Sequence, residues 1–148
     1  MNSAIFLALF FCITLSAGEV VQHSSCGGLG QFNQVRIVEG SAGSLTAGRQ
    51  YTIEADFTTH HAASGLEVNV VVKDSNGKVA TIFDEELPNS AVVPEIPYTV
   101  RFYYTPAAHL AGTNVAIKIQ VEHVHTAEEW EDHEEHDEDC AIVNVKIV

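Results

Sequence analysis

The sequence predicts an all-β domain, a two-sheet antiparallel sandwich. Three observations carry that expectation. Several segments of the 148-residue chain alternate apolar and polar residues with period two, as strands with one buried face do. Turn-forming residues separate these segments at intervals of roughly 8–15 residues, the spacing of short strands in a sandwich. No stretch holds a helical period, so nothing in the chain offers a helix layer to cover a sheet.

The elements follow in order. Residues 1–17 read as a signal peptide, with the apolar run 4–15 followed by the small residues Ser16, Ala17 and Gly18. The run falls short of the roughly 20 apolar residues that span a bilayer. Cleavage after Ala17 or Gly18 leaves residues 18–148 as one exported domain, large enough for its own core. Removal of the leader takes Cys12 with it. Cys26 and Cys140 remain, and an oxidising compartment favours their pairing over two free thiols. In the chain-entropy model such a bridge contributes about 4–5 kcal/mol.

Residues 34–39 form a short strand, and 20–24 a further strand if they pair. Residues 51–57 place Tyr51, Ile53, Ala55 and Phe57 on one face. Residues 66–72 alternate and then turn wholly apolar. Asn76-Gly77 marks a hairpin, with 79–83 as the return strand. Pro88, Pro94 and Pro97 mark an irregular connection, because proline donates no ladder hydrogen bond. Residues 98–104 align Tyr98, Val100, Phe102 and Tyr104; 115–121 align Val115, Ile117, Ile119 and Val121. Residues 141–148 close the chain with Val143, Val145 and Ile147 together. Seven strands result, or eight with 20–24.

The net charge is −13 with histidine neutral, and no basic patch offsets it. Binding to nucleic acid or to anionic membranes is therefore not expected. No Asn-x-Ser/Thr sequon occurs; Asn89-Ser90-Ala91 is a near miss. Residues 128–139 hold nine of the twenty acidic residues and read as an insertion in a connecting loop, extended by self-repulsion. His123, His125, His133 and His136 flank or enter that loop and are the candidate metal ligands. A solvated loop and a pH-sensitive one are the alternatives, since histidines among carboxylates titrate near neutrality. His133-Glu134-Glu135-His136 lacks the spacing and helical frame of a zinc protease motif. No cofactor is expected. Nor is an enzyme: no Gly-x-Ser-x-Gly elbow occurs, the bridge would consume both mature cysteines, and His60-His61 reads as a polar loop.

Several marks in order give the chain a family resemblance. They are Cys26-Gly27 at the start, Leu45-Thr-Ala-Gly48-Arg-Gln-Tyr51 entering a central strand, the aromatic strand 98–104, and Cys140-Ala141-Ile142 at the end. Together they resemble the ML lipid-recognition family, to which the soluble Niemann-Pick type C sterol carrier and the group 2 mite allergens belong. Two further disulfides of the best-known members have no counterpart here. The resemblance implies an immunoglobulin-like sandwich with a lipid cavity between the sheets. It implies as pocket residues Phe83, Val100, Phe102, Tyr104, Pro106, Leu110, Ile117 and Ile119, against ordinary core packing for each. The sterol carrier has aromatic residues where this chain has Leu110 and Ile119, which leaves fatty acids and other lipids open beside sterols. The implied function is carriage of a sterol, fatty acid or other neutral lipid by a secreted, extracellular monomer that meets a membrane-protein acceptor. A lysosome or gut lumen is an alternative compartment. The competing expectation is a secreted interaction or immune-recognition module of the same fold.

Overall fold

The computed structural model of the protein describes residues 18–40, 43–124 and 138–148. The expected leader, most of the acidic segment, and His125, His133 and His136 lie outside the described residues.

Ten strands occur among the described residues, with a single 3-10 helix at Ala108–Leu110. They are β1 (Glu19–Val21), β2 (Ser24–Gly27), β3 (Gln31–Ile37), β4 (Ser44–Leu45), β5 (Tyr51–Thr58), β6 (Gly65–Lys73), β7 (Val79–Leu87), β8 (Pro97–Tyr104), β9 (Asn114–Val124) and β10 (Glu138–Ile147). One sheet has the order β1-β3-β5-β8. The other has the order β2-β10-β9-β6-β7, with β4 pairing in parallel to β10. The remaining pairings are antiparallel, and the molecule is an immunoglobulin-like two-sheet sandwich. No described helix is long and apolar enough to cross a membrane.

Period-two patterning decides which faces meet. Tyr51, Ile53, Ala55 and Phe57 on β5 are buried, as are Leu66, Val68, Val70 and Val72 on β6. Ile117, Ile119 and Val121 on β9 pair in register with Val72, Val70 and Val68 of β6, and Val115 beyond them pairs with Val145 of β10. Each such side chain gains roughly 1.5–3 kcal/mol from leaving water. A one-residue slip would turn the whole set outward, so burial also fixes register.

The hairpin between β6 and β7 forms where Asn76-Gly77 predicts it. Gly77 has φ of 83°, which favours glycine, and Asp74 Oδ1 accepts the N–H groups of Asn76 and Lys78 at 2.9 Å each. Cys26 and Cys140 are bridged, with Cα atoms 5.0 Å apart across 114 residues of sequence.

Several boundaries differ from the sequence reading. The strand expected at 34–39 runs from Gln31 to Ile37, because a bulge between Phe32 and Gln34 re-phases the alternation and turns Phe32 inward. The single strand expected at 20–24 is two, and β1 and β2 join different sheets. The acidic segment does not end the loop at Asp139: Glu138 and Asp139 already pair with Glu122 and Val121 as the start of β10.

The outer face of the four-stranded sheet carries an ion-pair row. Arg36 on β3 donates to Glu54 at 2.8 Å and to Asp56, both on β5, and Arg101 on β8 donates to Glu54 at 2.6 Å. The hydrogen bonds from Arg36 are the chief reason both carboxyls sit below their ordinary range. Groups held low in the folded state stabilise it above their ordinary pKa, near 4, and lose that contribution as pH falls through the lowered values. Arg36→Gln is therefore expected to shrink the stability difference between about pH 7 and pH 3 by roughly 0.5–1 kcal/mol. Urea melts of both proteins at the two pH values check it. An unchanged difference would mean that the row contributes nothing measurable.

Candidate functional site

The two sheets end on the same side in edge strands: β7 closes one sheet and β8 the other. Between these edges lies the seam of the sandwich. Halfway along it Phe83 of β7 meets Phe102 of β8, with ring centroids 6.3 Å apart. A cleft lies on either side of that contact.

The first cleft, about 190 Å³, is bounded by Val72, Ala80, Ile82, Tyr104, Ala107 and Leu110, with Asp74, Lys78, Thr105 and His109 around it. The second, about 210 Å³, lies between Phe57, Leu66, Tyr98 and Val100 on the strands and the connection from Leu87 to Val92. Exposed residues on both walls, Lys78 and His109 in one and Pro88 and Asn89 in the other, keep the clefts open to solvent. Pockets for drug-sized ligands run from about 300 to 1,000 Å³, so each cleft alone suits a narrow ligand or part of a larger one.

The expected pocket residues divide among four places. Val100, Tyr104 and Leu110 line the clefts, and Phe83 and Phe102 stand between them. Ile117 and Ile119 are 1% and 0% exposed on β9, two strands in from the edge, where they face Val72 and Val70. Pro106 is buried just beyond β8, and its carbonyl accepts the Gly48 N–H at 2.8 Å.

Sequence reasoning missed Ile82. A bulge between Val70 and Val71 leaves it without a partner, so Ile82 lines the first cleft while the adjacent Phe83 reaches Phe102. Strict alternation would have placed these neighbours on opposite faces. Lys78 and His109 were missed as well, since nothing local to either signals that the hairpin and the 3-10 helix converge.

The electrostatics of the seam are uneven. Asp84, Glu85 and Glu86 run along β7 and are exposed. Charges on an edge strand also discourage pairing with another chain. The first cleft has Lys78 and His109 beside Asp74, so it is the less acidic end. Burial pushes the Tyr104 phenol up from its ordinary value, which keeps it protonated.

Of the candidate metal ligands only His123 is described. It continues the inward row of β9 and is buried, with Nε2 3.3 Å from Oδ2 of Asp139. Asp139 is itself 1% exposed, and its Oδ1 accepts the Gly30 N–H at 2.7 Å. A Cβ at position 30 would overlap that carboxylate, so a side chain there would displace Asp139. The pair ties the base of β10 to the β2–β3 turn, next to the disulfide. Among the described residues no group of three or more histidine, cysteine or acidic side chains is placed to hold a metal.

No family model matches the chain, and no curated protein matches it in sequence. Solved structures do resemble it. A Niemann-Pick type C2 protein from the Japanese carpenter ant superposes with a TM-score of 0.57 at 10% identity, over 86% of this chain and 99% of that one. The C-terminal domain of wzt superposes with a TM-score of 0.58 at 12% identity, over 88% of this chain and 78% of that one. At such identities both likenesses speak of the fold alone.

Proposed function

We propose that the protein is a secreted carrier of a neutral lipid, held in the seam between β7 and β8. The observation that carries this reading is the pair of apolar clefts at the free edges of the two sheets, with Phe83 against Phe102 between them. Burying an apolar chain there yields about 25 cal/mol per Å² removed from water, with no bond chemistry required. The resemblance of the cysteine-bounded motifs to the ML family supports the same reading, as does a fold shared with a Niemann-Pick type C2 protein. The bridge Cys26–Cys140 fits an oxidising, extracellular or lysosomal compartment.

Charge and size narrow the ligand. A net charge of −13 and the acidic run on β7 disfavour anionic head groups. Clefts of this size favour a single acyl or alkyl chain, and a sterol requires Phe83 and Phe102 to part. Native mass spectrometry of the secreted protein, with lipid extraction of the same sample, tests the proposal. A bound fatty alcohol, fatty acid or sterol is the expected result. An empty protein that also fails to take up fluorescent acyl and sterol probes would overturn it and favour the interaction module. A preference for phosphatidylglycerol over uncharged lipid would overturn the charge argument.

A further inference from the structure

The four tyrosines of the chain are in three situations. Tyr103 faces solvent, 55% exposed. Tyr51 and Tyr98 lie on the inner side of the sandwich, and each hydroxyl accepts a backbone N–H: from Thr46 at 2.8 Å and from Val93 at 2.9 Å. Tyr104 is equally internal, 5% exposed, yet its hydroxyl is buried with no hydrogen-bond partner among the described residues. It is also the tyrosine that lines the first cleft.

A buried hydroxyl without a partner is costly, and phenylalanine at the same place would remove the cost. The chain uses phenylalanine at the neighbouring inward position, Phe102, and at Phe57. A buried hydroxyl without a partner, at the end of a side chain that lines a cleft, has the character of a group kept for a ligand. Because burial keeps the phenol protonated, it can donate a hydrogen bond to an incoming oxygen.

We propose that the first cleft binds an aliphatic chain ending in an alcohol or carboxylic oxygen, inserted oxygen-first so that the oxygen accepts from Tyr104. This deepens, and rests on, the carrier reading. It fixes the direction of entry: the polar end goes in, and the chain runs outward past Ile82 and Leu110 along the seam. It also assigns Tyr104 a role in discrimination, since a site built to meet an oxygen rejects the analogue lacking one. An alcohol and a carboxylic acid share this chemistry. The acidic charge of the protein favours the alcohol, while Lys78 and His109 are the groups near the cleft that a carboxylate would meet.

The test compares the full secreted chain with Tyr104→Phe, using octanol, octanoate and octane as probes in calorimetric titrations. The expected result is that Tyr104→Phe weakens octanol or octanoate binding about 5- to 10-fold and leaves octane unchanged, the loss of one buried hydrogen bond. Whichever of the two loses more identifies the alcohol or the acid as the source of the oxygen. The ligand-free variant should melt about 3 °C higher than the wild type, a gain that a merely structural hydroxyl would not produce. Equal binding of all probes by both proteins overturns the inference and leaves the carrier reading standing. No binding of any probe by the wild type overturns both.

Discussion

Replacing Cys26 and Cys140 together by serine is expected to cost about 4–5 kcal/mol of stability and roughly 15 °C in Tm. The effect is large because the bridge spans 114 residues, most of the chain, so it removes much of the freedom of the unfolded state. It also holds an exposed edge. β2 is four residues long and, among the described residues, pairs only with β10, where the register shifts between Cys140 and Ala141. Beside the bridge, Asp139 links β10 to Gly30 and to His123. Urea titrations of the oxidised wild type and the double variant measure the difference. A cost under about 1 kcal/mol would mean that packing of β2 and the Asp139 contacts alone hold the chain ends, contrary to the loop-entropy argument.

Phe102→Ala is expected to cost about 3–5 kcal/mol, the range for deleting a fully buried aromatic ring. Phe102 is 0% exposed, pairs with Ile53 across β5 and β8, and is the inner half of the contact that separates the two clefts. Its removal should do two things at once. The variant loses stability, and the clefts join into one apolar space. Octane or octanol at the same free concentration is then expected to raise the Tm of the variant more than that of the wild type, because a ligand that fits the enlarged space binds only the folded state. A cost below about 1.5 kcal/mol, with no added response to ligand, would indicate that the seam collapses around the missing ring.

β5, β8 and β9 follow alternation closely, because each buries one face and exposes the other over its whole length. The sequence places the return strand at 79–83. It continues to Leu87 because an edge strand can carry charges that a central one cannot. His123, a candidate metal ligand at a strand end from the sequence, is buried at the end of the inward row of β9, 3.3 Å from an aspartate sixteen residues on. Nothing local to His123 signals that partner.

The candidate site was legible by residue type and not by assembly. Tyr104, Leu110 and Val100 could be named from the aromatic strand and the resemblance, but Ile82, Lys78 and His109 could not, since a bulge and a converging hairpin bring them in. The sequence by itself determined what repeats locally: the all-β class, the inward rows, the Asn-Gly hairpin and the two cysteines left to pair. Those features follow from period-two burial and from turn chemistry, which act over a few residues at a time. Only the tertiary structure decided which edges face each other, where a bulge breaks the alternation, and which buried hydroxyl goes without a partner. Those outcomes depend on contacts between residues far apart in the chain, whose geometry is set by how two whole sheets pack.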